Sequence, residues 1–512
     1  VHKSYKSYKI KVIVFLLKEG KRMASTYRAP GVDVLIERQQ LEQKSKETSF
    51  LPVYIGTGIT SRVRTIKKTK IKADVSAFPK VTLLFDLNGD LNTDMFNVTK
   101  FTLGQVIVTK SSGGTSTVVL EPGVGYSIEQ DITLSKSELI GTYVLKILDA
   151  TLSAADATYE INITAENTDD DFQLKLVGAE DRFFSKDLFG PIILEENGKQ
   201  FFNDVAIAVE IAFRTGVQSF FYLEVPRNFG EQPTAADYLK AIEQTYYYHD
   251  AYRLVPLTFD SEVVSGLSKF VSGVSNPLDR RETVGFISYD PTNINSITDI
   301  DELVTKVGSL STTINNKRIC NVFGGNSVEL TINNIKYELP QYFLNAAIAS
   351  LDAVVGLVAP LSLREIAVFD KINGPRFRPR DWDKLAKLGV FIVKKDNDDS
   401  PAVIRHQLTT AVSEDAADQE YSVVKNFDVV TKKIRDRFKP YAGQYNIEVG
   451  YMERLDGTLA TVRQEILENK LARSLTILTP WSISDSDGRN LVTRLQMGPV
   501  FPANHLDVYL VI

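Results

Sequence analysis

Three patterns in this sequence could carry chemistry. Residues 86–94, DLNGDLNTD, set Asp or Asn at every second position, as a calcium-binding loop does. The sixth position is Leu91, where such a loop turns on Gly, and the twelfth is Asn97, where a bidentate Glu is needed. Asn88-Gly89 suits a tight hairpin turn instead. Gly324-Gly325 ends the run KRICNVFGG, where a phosphate cradle would lie, but neither GxGxxG nor GxxxxGKS/T follows any strand. The next segment, SVELTINNIKYEL, reads as a hairpin turning at Asn333-Asn334, so the glycines are read as a turn. The third pattern is basic. Arg376, Arg378 and Arg380 alternate in RFRPRDW, and Lys425, Lys432, Arg435 and Lys439 share one side of a helix by their spacing. Together these seven form a candidate charged interface, and the acidic runs 396–399 and 414–420 of another copy are their natural complement.

Nothing else in the chain clusters for catalysis or metal binding. His2, His249, His406 and His505 are scattered, and His406, between Arg405 and Gln407, is read as a surface or interface residue. Cys320 is the only cysteine, which excludes an internal disulfide and a cysteine-based metal site. No GxSxG occurs. The sequence therefore implies no enzyme, no cofactor and no metal.

The elements that would hold these residues follow from hydrophobic rhythm. FLPVYIGTG, residues 50–58, is a short apolar run ending in glycines, read as the first buried strand of a core. Between about 62 and 185 the chain is rich in Thr, Val and Ile, broken by Gly, Asn and Asp, and reads as an inserted all-β domain. From 186 helices and strands alternate: helices over 201–215, 234–249, 261–274, 300–314 and 339–356, with strands between them. A further unit from 376 holds a helix over 382–388, strands GVFIVKK and VIRHQLTT, and helices over 421–438 and 458–474. In the first of these, Val423, Phe427, Val430, Ile434 and Phe438 mark the expected apolar face. The fold class is α/β (α+β) and multidomain: a mixed-sheet core (50–61 plus 186–375), an inserted β-rich domain (62–185), a C-terminal α/β domain (376–497) and two extended arms (23–49 and 498–512).

Both arms carry alternating strands. Val32, Val34 and Ile36 line one side of a strand opened by Pro30-Gly31, and a polar tether with one aliphatic residue follows it to Ser49. Leu506, Val508, Leu510 and Ile512 line one side of the other. Residues 1–22 are basic with a short apolar run, and Lys18-Glu19-Gly20 can be encoded by a ribosome-binding sequence. They read as a leader ahead of a true start at Met23. Of 512 residues 43% are hydrophobic and 24% charged, with formal net charge −5, which suits a globular protein and disfavours a general nucleic-acid binder.

The PGV strand at residues 30–34, VYIGTG, the inserted β domain, the α/β core and the closing section LARSLTILTPWSISDSDGRNLVTRLQMGPVFPANHLDVYLVI together resemble the contractile tail sheath proteins of bacteriophages. That family includes the sheaths of contractile bacteriocins and of type VI secretion. The resemblance implies a structural subunit that polymerises around an inner tail tube and contracts to drive the tube through a host envelope. It implies that Val32, Val34, Ile36, Leu506, Val508, Leu510 and Ile512 form strands added to sheets of neighbouring subunits. The implied partners are further copies in stacked rings, the inner tail tube protein, and baseplate and tail terminator proteins, with no direct nucleic acid and no membrane insertion. The implied place is the virion tail, assembled in the host bacterial cytoplasm. Two alternatives stand beside this reading: another tail or baseplate component, and an α/β nucleotide-dependent enzyme.

Overall fold

A computed structural model of the protein describes Phe50–Gly58, most of residues 174–502, and the backbone of strands lying between 65 and 166. A nine-stranded sheet organises the core. Its strands are β1 (Leu51–Gly56), β2 (Lys175–Gly178), β3 (Ser219–Glu224), β4 (Ala251–Pro256), β5 (Val284–Ser288) and β6 (Ile319–Phe323). The hairpin strands β7 (Ser327–Ile332) and β8 (Ile335–Pro340) follow, then β9 (Glu365–Ile366), β10 (Lys371–Asn373), β11 (Val390–Lys394) and β12 (Ala402–His406). Across the large sheet the order is β9-β12-β11-β6-β5-β4-β1-β3-β2. The six strands from β11 to β3 run parallel, and antiparallel neighbours close both margins.

Helices cover both faces. On one side lie α1 (Asp204–Thr215), α5 (Phe343–Val355) and α7 (Tyr421–Phe438), packed on Tyr54, Phe220, Tyr252, Phe286 and Phe391. On the other, α2 (Ala235–Gln244) and α3 (Ser261–Val274) pack on Val53, Ile55 and Leu254. Beside them α4 (Ile300–Ile314) and α6 (Pro379–Lys387) pack on Phe323, Val390 and Ile392. Strands covered on both faces bury every residue, which is why β4, β5 and β6 read as mainly apolar runs rather than alternating ones, with Arg253 and Asn321 as buried exceptions. Helix ends follow local chemistry: Asn203 caps α1 through Ala206 N–H at 3.1 Å, and α1 stops at Gly216 with φ +93°.

The strands between 65 and 166 form two small antiparallel sheets, one of four strands and one of three. Residues 86–94 lie outside the described residues.

Several elements differ from the sequence reading. β11 and β12 continue the same large sheet, so the boundary expected at 376 does not divide it. Hydrogen bonding to β6 decides membership, and that pairing is non-local. Residues 199–202 pair as a strand with 193–196, so α1 begins at Asp204 rather than 201. The helix expected over 458–474 is α8 (Tyr451–Glu468), started by Gly450 at φ +86°. Its buried row Leu455, Leu459, Val462 and Ile466 keeps helical spacing through Gly457. The residues beyond it form β13 (Ser474–Ser484) and β14 (Asp487–Gly498), an antiparallel hairpin whose register shifts around Pro480. The turn at Asn333-Asn334 matches expectation: both residues have positive φ, at 51° and 64°, as a tight two-residue hairpin needs. Gly325 lies against the Asn373 carbonyl of β10, where a Cβ would collide, so its role is close packing.

Candidate functional site

Open parallel sheets bind ligands outside the carboxyl ends of their strands, where the strand order reverses. Here that place lies between the ends of β1 and β4, and the protein's own side chains fill it. Asp204, in the first turn of α1, accepts from Thr57 N–H at 3.3 Å and from the Tyr342 hydroxyl at 2.9 Å. Gly56 is tight against Asp204 and Leu257, and Gly58 against Glu224. Glu224 and Arg227 are buried near it. The helix N-terminus that would meet a phosphate thus already carries a carboxylate. Burial, only partly offset by the Tyr342 and Thr57 hydrogen bonds, pushes the Asp204 carboxyl up to about 7. Among the described residues no group of three or more His, Cys, Asp or Glu is placed to hold a metal ion. None of their helices is long and apolar enough to cross a membrane.

The densest buried charge lies on the same face of the sheet, nearer the amino ends of the strands. Arg253 on β4, Asp352 on α5 and Lys425 on α7 are all 1% exposed or less. Asp352 accepts from Arg253 Nε at 2.5 Å, from Lys425 Nζ at 2.5 Å and from the Tyr421 hydroxyl at 2.7 Å. Lys425 also donates to the carbonyls of Gly356 and Ala359. Against the upward push of burial, Arg253 and Lys425 hold the Asp352 carboxyl below its usual range. Burial pushes the Lys425 ammonium down, and Asp352 only partly offsets it. Two cations share one carboxylate, and backbone carbonyls take up the remaining donors.

One of those carbonyls belongs to Phe50, just before β1, and Arg253 Nη1 donates to it. The Phe50 ring packs edge-on to Tyr252 at 4.4 Å between centroids, and the Lys432 ammonium stands 5.0 Å from its centre. Leu51 N–H donates to Asp250 O at 2.7 Å. The start of β1 is therefore fastened by backbone, ring and charge at once. A second network braces α7 alongside: Asp428 takes two hydrogen bonds from Arg318, at 2.8 and 2.9 Å, and one from Tyr252 at 2.9 Å.

This geometry corrects the charged interface read from the sequence. Lys425 is fully buried and faces the core. Lys432 is half-buried, with Asp250 at 3.7 Å, and Arg435 is bound to Glu282. Of that row only Lys439 is exposed. Helical spacing placed the four on one side correctly, but that side turns toward the sheet. Phe427, expected in the apolar row, is 42% exposed. Arg376, Arg378 and Arg380 are exposed, with Phe377 between them stacked on Trp382 at 4.4 Å.

At the C-terminal end, β13 and β14 form a two-stranded sheet of their own, and neither outer edge has a strand partner among the described residues. Its root is packed: Leu475 is buried, and Leu495 and Met497 rest on the core. Its outer part exposes Ile477, Leu478, Ile483 and Val492. Trp481 leans on Phe438 of α7 at 5.4 Å. A lone hairpin of this length is marginal in water, and two open edges with apolar side chains invite added strands. Sequence reasoning missed this ribbon because Pro480 and the bulges beside it break the alternation. The arm residues Val32, Val34, Ile36, Leu506, Val508, Leu510 and Ile512 lie outside the described residues.

Two stability measurements test these sites. An unfolded Asp loses its proton near pH 3.9, whereas folded Asp204 keeps its proton up to about 7. Between those values the folded chain holds a proton that the unfolded chain lacks, so this residue lowers stability as pH rises, by at most about 4 kcal/mol. Urea denaturation should show Asp204→Asn gaining on the parent from pH 4.5 to 7.5; parallel curves would refute the assignment. Asp352→Asn strands two buried cations and should cost about 3–5 kcal/mol. Lys425→Met leaves the Arg253–Asp352 pair intact and should cost less in the same assay. The reverse ranking would show that Lys425 is the keystone.

No family model matches the sequence, and no curated protein matches it. Solved structures similar to the chain include the helical sheath of the anti-feeding prophage in its contracted state, at 11% identity and TM-score 0.49, covering 66% of this chain and 87% of that one. The sheath tail protein of Desulfitobacterium hafniense is similar at 9% identity and TM-score 0.44, over 88% and 97%. The sheath complex of the extracellular contractile injection system PVC, in its contracted state, is similar at 10% identity and TM-score 0.47, over 67% and 89%. These three solved structures are described as sheath proteins or sheath complexes.

Proposed function

We propose that this chain is the sheath subunit of a contractile tail, held in a polymer by exchanged terminal strands. The observation that carries this reading is the ribbon β13–β14, rooted on the core with two open edges, in a chain that also bears two alternating arm sequences. Two donor strands match the ribbon's two edges in number. Strand addition supplies main-chain hydrogen bonds for affinity and side-chain pockets for register, and it covers edges that otherwise pair without control. The tether over residues 39–49 reaches at most about 35–40 Å, a distance suited to a neighbouring copy.

Force arriving through the N-terminal arm enters the core at Phe50. There Arg253 passes it to β4, α5 and α7 together rather than to one strand. The subunit acts as a stiff body hung from flexible arms, and contraction is a change in how such bodies pack. Moving a two-state equilibrium from 1:99 to 99:1 takes about 5.5 kcal/mol in total, so a small gain per subunit drives a long polymer fully. In this reading the polymer surrounds an inner tail tube, joins a baseplate and a terminator, and belongs to a virion. The enzyme alternative loses its usual ligand crevice to Asp204 and Tyr342.

Electron microscopy of the purified chain tests the proposal. The full chain should form long hollow tubes; closed rings alone would favour a baseplate component. Removing residues 23–40 should abolish tubes and leave the melting temperature nearly unchanged. Val508→Pro deletes a ladder N–H from the C-terminal strand and should likewise block assembly while sparing the monomer. Tubes formed by either variant would refute strand exchange through that arm.

A further inference from the structure

Beside the root of the N-terminal arm lies a cavity of about 440 Å3, between the C-terminal half of α7, the segment 279–282 and His249. Phe50, Tyr252 and Phe438 give it aromatic walls. Its charge is predominantly positive. Arg281, 7% exposed, donates to the carbonyls of Thr245 and Tyr248. Burial pushes its guanidinium down, with Asp250 and Glu282 offsetting that only in part. Lys432 has its nearest carboxylate, Asp250, at 3.7 Å, and Lys439 at the rim has no ion-pair partner among the described residues. The acidic side chains of the lining are mostly engaged: Glu282 binds Arg435, and Asp279 accepts from Asn276 at 2.6 Å. Asp436 is exposed. The effect on a neighbour is visible at His249, whose imidazole burial pushes down and Arg281, Lys432 and Lys439 push down further.

We infer that this cavity is a binding site for a small multivalent oxyanion of the phosphate class. A dry or half-dry guanidinium whose hydrogen-bond partners are neutral carbonyls gains most from an anion, and two lysines stand ready to meet the remaining charge. The volume suits a diphosphate-sized group rather than a folded partner. A bound anion would tie α7 to the segment before β5 directly beside Phe50, and would stiffen the point where the arm leaves the core. The site requires only the described core, so it does not depend on the sheath reading.

The test is calorimetric titration of the full chain with sodium pyrophosphate, with ionic strength held constant by sodium chloride. Saturable binding near one equivalent is expected. The double substitution Lys432→Gln/Lys439→Gln should weaken it at least about tenfold, and Lys432→Arg/Lys439→Arg should retain it. Lys439→Glu alone, at an exposed position, gives a second variant that leaves the fold intact and should also weaken binding. Absence of saturable heat, or an affinity in the glutamine and glutamate variants equal to the parent's, overturns the inference. Polymerisation is read separately by microscopy, so failure of this site leaves strand exchange standing, and the reverse holds too.

Discussion

Asp352 is the point on which the C-terminal half of the core turns. It lies on α5, and it holds Arg253 of β4 and Lys425 of α7 where no water reaches. A buried ion cluster of this kind adds little net stability over a well-packed apolar substitute, because desolvation cancels most of the attraction. What it adds is specificity. An apolar contact between α7 and the sheet could slide by a residue, whereas a three-way match of charges cannot, since any shift leaves a buried charge alone. The position of α7 then fixes the Arg318–Asp428 and Arg435–Glu282 pairs, the packing of Trp481 on Phe438, and through that the base of the ribbon. The same cluster reaches the start of β1 through Phe50. The start of β1 and the base of the ribbon are thus set by one buried carboxylate.

The crevice at the carboxyl ends of the strands is filled by the protein's own side chains. Where an α/β sheet would hold a cofactor, Asp204, Tyr342 and tightly packed glycines occupy the space. Open strand edges remain among the described residues, the ribbon's two among them. In the proposed sheath the ribbon's edges pair with other copies, and the exposed Ile477, Leu478, Ile483 and Val492 would give such pairing an apolar component.

Much of the core was legible in the sequence. Runs such as those of β3, β4 and β5 lie between helices with clear periodicity, and α3, α4 and α7 begin and end where their spacing indicates. The Asn333-Asn334 hairpin followed from turn chemistry alone. The failures share a cause, which is dependence on partners far away in sequence. Lys425 looks like a surface lysine until Asp352 and Arg253 are brought beside it, and Phe427 looks like a core residue until that pairing rotates the helix. The boundary placed at 376 failed because sheet membership of β11 rests on its pairing with β6. The ribbon was hidden by Pro480, since a bulge interrupts the period on which strand recognition relies.

The central claim is that the open ribbon is completed by other copies of the chain. A cryo-electron microscopy reconstruction of the assembled polymer at side-chain resolution tests it most directly. It should show β13 and β14 flanked by residues 32–38 of one neighbouring copy and 506–512 of another, making a four-stranded sheet drawn from three chains. A ribbon that stays two-stranded in the polymer, or that pairs only with arms of its own chain, would contradict it.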